Sequence, residues 1–353
     1  MTVLPTDYGA LLRELQRRAA SMRQPVSGVF ELTERCNLSC RMCYVRHDAR
    51  DTAQRSKELS SAQWLTLAQD AVDNGMVFLL LTGGEVFLRP DFFEIYIPLT
   101  RLGLILTIYT NGTLITDGIA QRLAEAAPSL TEITLYGSTA AAYEAVTGCP
   151  GSYARACAGI EALLKQGIPF GLKTTITRQN VGELEAMRQM ARQWGVPFSG
   201  AWLLSRRRDG HSSDVEYCRL SAQDCVNLEA TDQVSADEWL ETAFRESSVK
   251  SDANFYCQAG KTAFVIHSSG AMSPCLTLSQ PAARPLASGF RTAWEGVQRF
   301  VDEAPPPDSA CLACDARRYC PRCPAWSSME TGTLTDAVPY LCEIARLRKA
   351  RYE

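Results

Sequence analysis

Cys36-Asn37-Leu38-Ser39-Cys40-Arg41-Met42-Cys43 places three thiols at a C-x3-C-x2-C spacing, directly after the short, mostly apolar run Val29-Phe30-Glu31-Leu32. An ionised cysteine is a soft ligand, and sites built from several of them select iron–sulfur clusters, zinc or copper. Three thiolates on one loop hold three corners of a cubane and leave its fourth iron without a protein ligand, unlike the four-cysteine clusters of electron carriers. An open position is where a substrate or cosubstrate binds a metal, the distinction that separates catalytic from structural zinc. On spacing alone, a zinc knuckle or a redox thiol loop is the plain alternative.

Outward from this loop the chain alternates apolar runs with amphipathic stretches. Gly28 to Thr33 predicts a strand leading into the cysteines. Ser61 to Asn74 predicts a helix with Leu65, Leu67, Ala68 and Ala71 on one side, and Val77 to Leu81 a strand that stops at Thr82-Gly83-Gly84-Glu85. The unit repeats as helix Asp91–Leu102 and strand Ile105–Tyr109 ending in Thr110-Asn111-Gly112, then helix Thr116–Ala127 and strand Glu132–Tyr136 ending at Gly137-Ser138. Helix Ser152–Gln166, strand Gly171–Ile176, helix Asn180–Trp194 and strand Phe198–Leu204 follow. Continuous apolar strands bounded by turns are what buried parallel strands look like. Strands alternating with helices mean βαβ units, so the expected fold is α/β with six parallel strands. In parallel α/β folds ligands bind at the C-terminal strand ends, where the cysteine loop, Gly83-Gly84-Glu85 and Asn111 all fall.

The 353 residues carry 36 basic against 39 acidic side chains, net −3, which gives no footing for a nucleic-acid partner. The one basic cluster, Arg206-Arg207-Arg208, reads as a solvated or phosphate- or carboxylate-binding loop. Fourteen cysteines at short spacings, without a secretory signal, argue for metal rather than disulfides. Met1 to Gln24 is charged and amphipathic (Leu11, Leu12 and Leu15 among Arg13, Glu14, Arg17 and Arg18) and lacks an apolar signal core. No run of about 18 apolar residues occurs, so a cytoplasmic protein with no membrane partner is expected. From residue 257 onward seven more cysteines appear: Cys257, Cys275, the run Cys311-x2-Cys314-x5-Cys320-x2-Cys323, and Cys342. Dense C-x2-C pairs with a distant partner are metal-site spacing, and four of the seven would suffice for a zinc ribbon.

The three-cysteine spacing is that of the radical S-adenosylmethionine (SAM) enzymes, and the chain resembles that superfamily from about residue 28 to 345. The resemblance implies a partial (β/α)6 TIM-like barrel and a cluster on Cys36, Cys40 and Cys43 whose vacant iron chelates SAM. Reductive cleavage of SAM would then give a 5′-deoxyadenosyl radical that abstracts hydrogen from a substrate. It also implies SAM contacts from Met42, where an aromatic residue is usual, from Gly83, Gly84 and Glu85, with Val86 in place of the usual proline, and from Asn111 and Thr134. Lys173 and Arg206 could meet the SAM carboxylate or the substrate.

The C-terminal field, with Gly270 between Cys257 and Cys275, resembles the SPASM extension, a small cysteine-rich domain holding two auxiliary [4Fe–4S] clusters. The gap between Cys320 and Cys323 is one residue shorter than usual. Carried over, Cys311, Cys314, Cys320 and Cys342 would hold the outer cluster, and Cys257, Cys275 and Cys323 the inner one. Its fourth corner would be completed by Cys218 or Cys225 or left open to a substrate thiolate. Cys149, Cys218 and Cys225 are also candidates to donate hydrogen to a substrate radical, as in epimerases of the family.

The implied organisation is an N-terminal helical segment (1–27), the barrel (28–215), a helical bridge (216–250) and the SPASM domain (251–353). The implied activity is a peptide maturase that forms a thioether or carbon–carbon crosslink in a ribosomally made peptide. A formylglycine-forming sulfatase maturase and a peptide epimerase are the alternatives, and an iron–sulfur electron carrier is the non-enzymatic one. A reductant such as flavodoxin or ferredoxin is implied. With only 27 residues before the barrel, leader recognition is expected from a separate protein or from the barrel itself.

Overall fold

Strand β1 (Ser27–Thr33) lies inside a sheet rather than at its edge, and this decides how the chain is put together. The structure, a computed structural model, describes residues 8–210, 214–231 and 252–353. The six expected strands are present as β1, β2 (Phe78–Gly83), β3 (Ile105–Thr110), β4 (Leu130–Thr134), β5 (Phe170–Thr175) and β6 (Phe198–Ala201), each paired parallel to the next. Two more strands join them. β7 (Ala263–Ile266) pairs parallel with β1, Ser27 opposite Ala263, and β8 (Met272–Ser273) pairs antiparallel with β7. The sheet therefore has eight strands in the order β8-β7-β1-β2-β3-β4-β5-β6, against the six expected. The extra pair comes from the stretch read as part of the cysteine-rich domain, so that region is continuous with the barrel sheet.

Helices follow the strands. α1 (Tyr8–Met22) precedes β1, and α2 (Ser61–Asp73), α3 (Phe92–Thr100) and α4 (Asp117–Glu125) follow in turn. Then come α5 (Ala140–Thr147), α6 (Ser152–Lys165), α7 (Leu184–Trp194) and α8 (Ala222–Thr231). The C-terminal region adds α9 (Phe290–Asp302), α10 (Pro324–Thr331) and α11 (Pro339–Tyr352). α2 starts at Ser60 with a full capping box, Ser60 accepting from the Gln63 amide while the Gln63 side chain accepts from the Ser60 amide. α5 was not expected; Thr139 caps its start and Gly148, at φ 66°, ends it. Of the expected bridge over 216–250, α8 is described and residues 232–250 lie outside the described residues.

The two faces of the strands differ. Phe30, Leu32, Leu79, Leu81, Leu106, Ile108, Ile133 and Leu172 point outward and are buried with Trp64, Leu67, Ile95, Leu123, Ile160 and Met187 of the helices. Their alternates, Val29, Leu80, Thr107, Tyr109, Glu132, Thr134, Lys173 and Thr175, are only half-buried. Successive side chains point to opposite sides of a strand, so the inner face mixes polar and apolar side chains and is partly reached by solvent, except at Glu31, which is fully buried, while the helix-facing side is sealed.

Candidate active site

The cysteine loop begins where β1 ends, and its stem is held from beneath by buried charge. Arg35 is bound by Glu58 (2.8 and 3.2 Å) and by the carbonyl of Ala49 (2.9 Å). Glu58 also accepts from the Thr33 hydroxyl (2.5 Å). Arg89 lies 3.5 Å from the same carboxylate, forks onto Asp91 (3.0 and 2.7 Å), and donates to the carbonyls of Leu32 and Leu59. None of Arg35, Glu58 and Arg89 was anticipated, because isolated charges in a sequence look solvated.

Gly83 and Gly84 press the end of β2 onto this stem. The Gly84 amide donates to the Thr33 carbonyl (2.8 Å) and that of Glu85 to the Arg35 carbonyl (3.0 Å). A Cβ on Gly83, whose φ is 150°, would lie 2.1 Å from the Thr33 oxygen, and one on Gly84 2.2 Å from the Arg35 oxygen. The space these glycines free is thus filled by the chain's own backbone. Glu85 is likewise used internally. Its Oε1 accepts from the Thr110 hydroxyl (2.8 Å) and the Phe87 amide (3.1 Å), and its Oε2 from the Asn111 amide (2.8 Å). Burial raises its pKa, and these bonds oppose the rise.

Asn111 ties the third strand to the loop. Its Nδ2 donates to Asn37 Oδ1 (3.0 Å) and approaches Cys36 Sγ (3.6 Å), while its Oδ1 accepts from the Thr113 amide and hydroxyl. On the other side the Ser39 amide donates to the Thr147 carbonyl (2.8 Å), at the end of the unforeseen α5. Met42 and Cys40 are buried in one apolar cluster with Leu38, Val146, Leu204, Val215 and Cys218, against which Cys36, Cys43, Tyr136 and Cys149 pack. Thr134 is half-buried at the end of β4, in register with Lys173.

All fourteen cysteines are free thiols. Burial first, then the Glu85 carboxylate, pushes the Cys36 thiol up to about 12, and burial also raises Cys40 and Cys43. Such thiols are neutral and inert until a metal displaces their protons. Three soft donors on one short, partly buried loop fit an iron–sulfur cluster, and Arg46 and Arg207 near Cys43 favour the negative charge it brings.

The structure gathers the distal cysteines into two groups. Cys323 feels Cys275 and Cys257; burial first and then these neighbours push it up to about 11. Cys320 feels Cys342, Cys311 and Cys314 and is likewise pushed up to about 11, again mainly by burial. Arg322, inside the short gap, bonds Asn254 Oδ1 (2.7 Å) and the carbonyl of Leu334 (2.8 Å). Cys218 and Cys225 do not join the first group. Cys218 belongs to the cluster around Met42, and Cys225 faces the Tyr340 hydroxyl (3.2 Å).

The basic cluster binds carboxylates of its own chain, with Arg206 half-exposed and Arg207 and Arg208 largely enclosed. Arg206 pairs with Glu216 (2.7 Å) and Glu330 (3.2 Å), and Arg207 with Asp209 (2.5 Å). Arg208 is buried. It bonds Glu31 (3.2 and 3.0 Å), Glu34 (2.6 Å) and the Leu276 carbonyl (2.7 Å). His267 bonds the same Glu31 (2.8 Å) and, at its other nitrogen, Ser273 (2.7 Å). This knot joins the loop after β6, the cysteine stem and the approach to Cys275.

Residues 30–191 match the Radical SAM superfamily. The chain carries a radical SAM domain. The radical SAM fold binds SAM and a [4Fe–4S] cluster. The chain is 27% identical over 333 residues to an AdoMet-dependent heme synthase of Methanosarcina barkeri, covering 88% of this chain and 94% of that protein. It is 30% identical over 172 residues to the PqqA peptide cyclase of Gluconobacter oxydans, covering 49% of this chain and 47% of the cyclase. Thus the chain spans nearly all of one relative and about half of the other. Among solved structures, SuiB of Streptococcus suis bound to S-adenosylmethionine superposes with a TM-score of 0.69 at 18% identity, over 96% of this chain and 83% of SuiB. SuiB has also been solved with its precursor peptide SuiA. No described helix is long and apolar enough to cross a membrane.

Proposed function

We propose that this chain is a radical SAM peptide maturase that removes hydrogen from a residue of a ribosomally made peptide and forms a thioether or carbon–carbon crosslink. Cys36, Cys40 and Cys43 would hold the SAM-binding cluster, Cys311, Cys314, Cys320 and Cys342 an outer auxiliary cluster, and Cys257, Cys275 and Cys323 an inner one. With SAM, these groups supply the one-electron chemistry. The chain's part is to fix the loop, through Arg35–Glu58–Arg89 and Glu85–Asn111, and to offer a half-open lumen to the substrate. The observation that carries the reading is the convergence of the two distal cysteine groups, because a net two-electron oxidation needs an acceptor. The likeness to a peptide cyclase supports the substrate class.

The experiment is anaerobic reconstitution, with about twelve irons per chain expected for three cubanes, followed by reaction with SAM, reductant and a short peptide encoded beside the gene. A product two hydrogens lighter supports the proposal; unchanged mass with deuterium gained from solvent would mean epimerisation. Loss of the thiol as an aldehyde in a Cys-x-Pro-x-Arg peptide would mean sulfatase maturation. A second reading, action on a tetrapyrrole, is favoured by the nearly full-length match to a heme synthase. Conversion of a tetrapyrrole to heme under the same conditions would establish it.

A further inference from the structure

Three neighbouring inner-face strands each put one ionisable group at the same place in the lumen. Tyr109 on β3 is in register with Glu132 on β4, and Lys173 on β5 is in register with Thr134, two residues further along β4. The Lys173 amine lies 3.6 Å from Glu132 Oε2 and sits over the Tyr109 ring. Burial first, and then the neighbouring Glu132 carboxylate, raise the pKa of the Tyr109 phenol. Lys173 and Glu132 keep about a fifth of their side-chain surface accessible, 22% and 21%. Their level in the barrel is that of the cysteine loop. Ile133, next to Thr134, pairs with Thr110, and Asn111 beyond it reaches Cys36 Sγ. An amine on a solid core face would be sealed; this one faces the space a substrate must enter.

We propose that Lys173, oriented by Glu132 and the Tyr109 ring, is the proton acceptor for the substrate bound in the barrel. The inference rests on the maturase reading. In crosslinking, a substrate C–H and a second-residue X–H become C–X. One hydrogen leaves as an atom to the SAM-derived radical, the C–X bond forms as the X–H bond breaks, and that proton passes to the Lys173 Nζ lone pair. The remaining electron goes to an oxidised iron–sulfur cluster of the chain. A lysine serves this role only if part of its population is neutral near pH 7, and burial pulls Lys173 down to about 7 while Glu132 pulls the other way. Among the described residues, Glu132 and Tyr109 are the titratable groups facing its amine. General-base catalysis of this kind contributes roughly 10²–10⁴ in rate.

The first test needs no substrate. Competitive labelling with acetic anhydride from pH 5 to 10, on the anaerobically reconstituted full chain with peptide mapping, compares Lys173 with Lys57 in the same sample. Lys173 should titrate near pH 7, and in E132Q lower still, since a partner that favours its charge is gone. A midpoint matching that of Lys57 overturns the proposal. The second test is the pH–rate profile of product formation. Wild type should show a rising limb at the pH where Lys173 titrates. K173R, which keeps the charge but cannot accept a proton, should lose that limb and fall at least about 100-fold. K173R with an unchanged profile overturns the proposal, as does K173M matching wild type. Wild-type protein yielding no 5′-deoxyadenosine would sink the maturase reading instead, and the amine titration would still decide whether Lys173 can act as a base.

Discussion

Replacing Arg208 by methionine should destabilise this protein more than most single substitutions. Arg208 and Glu31 are 8% and 0% exposed, and Glu31 has no access to water that could take over for the missing guanidinium. Removing one partner of a buried pair strands the other charge, at a cost of about 3–5 kcal/mol. For a chain of this length that is a fall in melting temperature of about 6–10 °C, taking ~2 °C per kcal/mol. Arg208 also binds Glu34 (2.6 Å), which keeps its charge in either variant, so R208M/E31Q removes the more deeply buried of the two carboxylates and should recover part of the loss. The pH dependence has a definite sign. In the wild type, burial opposes the Glu31 charge, but His267 and Arg208 outweigh it and hold the carboxyl below its ordinary value. Its contribution is therefore full above the unfolded carboxylate range and fades as pH falls through the folded value. In R208M, burial acts with less opposition, Glu31 takes up its proton more readily, and the deficit should shrink on acidification. Circular-dichroism melts from pH 8 down through the acid range below the ordinary carboxylate value measure all three. The reasoning fails if R208M melts within about 2 °C of wild type, or if the double variant is no better than the single.

Three further outcomes are expected. G84A puts a methyl 2.2 Å from the Arg35 carbonyl, so the stem must shift; anaerobically reconstituted protein should lose iron from one cubane while the folded baseline in the far ultraviolet persists. Replacing Cys36, Cys40 and Cys43 together by alanine should remove about four irons and abolish 5′-deoxyadenosine formation; full iron retention would refute the ligand assignment. Glu183 accepts from the amides of Ser138 (2.6 Å) and Thr139 (3.0 Å) before α5. Burial opposes its charge, but the Thr139 and Ser138 bonds prevail and lower its pKa. E183Q should cost about 1 kcal/mol at pH 7 and progressively less as the pH falls through the lowered folded value, as read by urea unfolding at a series of pH values from 7 into the acid range.

The strands were readable because each outward-facing series had to be apolar to meet the helices, and Val77 to Leu81 announces that without help from the rest of the chain. β7 was not, because Ala263–Ile266 is four residues long and its partner lies 236 positions back, as Glu31 does for His267. Nothing local specifies such a pairing. α5 was passed over because Ala140-Ala141-Ala142 shows no apolar period, although Thr139 before it and Gly148 after it are cap residues that could have marked it. The cysteine spacing made the loop legible, but what holds the loop is charge. Arg35, Glu58, Arg89, Glu31 and Arg208 each look like surface residues until the fold pairs them. The two glycines were read as SAM contacts; that they also bring two backbones of the chain together was not visible in the sequence. For Cys218 and Cys225, composition named the thiols but could not say which neighbours they would have.

Because β1 is flanked on one side by β7, its outer row of amide and carbonyl groups has no permanent partner while the ribosome makes everything between them. A bare strand border of that kind is a template for pairing with other chains, and contacts so distant along the sequence form slowly. The nascent protein therefore emerges with its cysteine loop beside an unfinished seam. Any truncation before residue 263 leaves that seam open for good, so such fragments should self-associate even though the six-stranded half contains every residue of the first thiol loop.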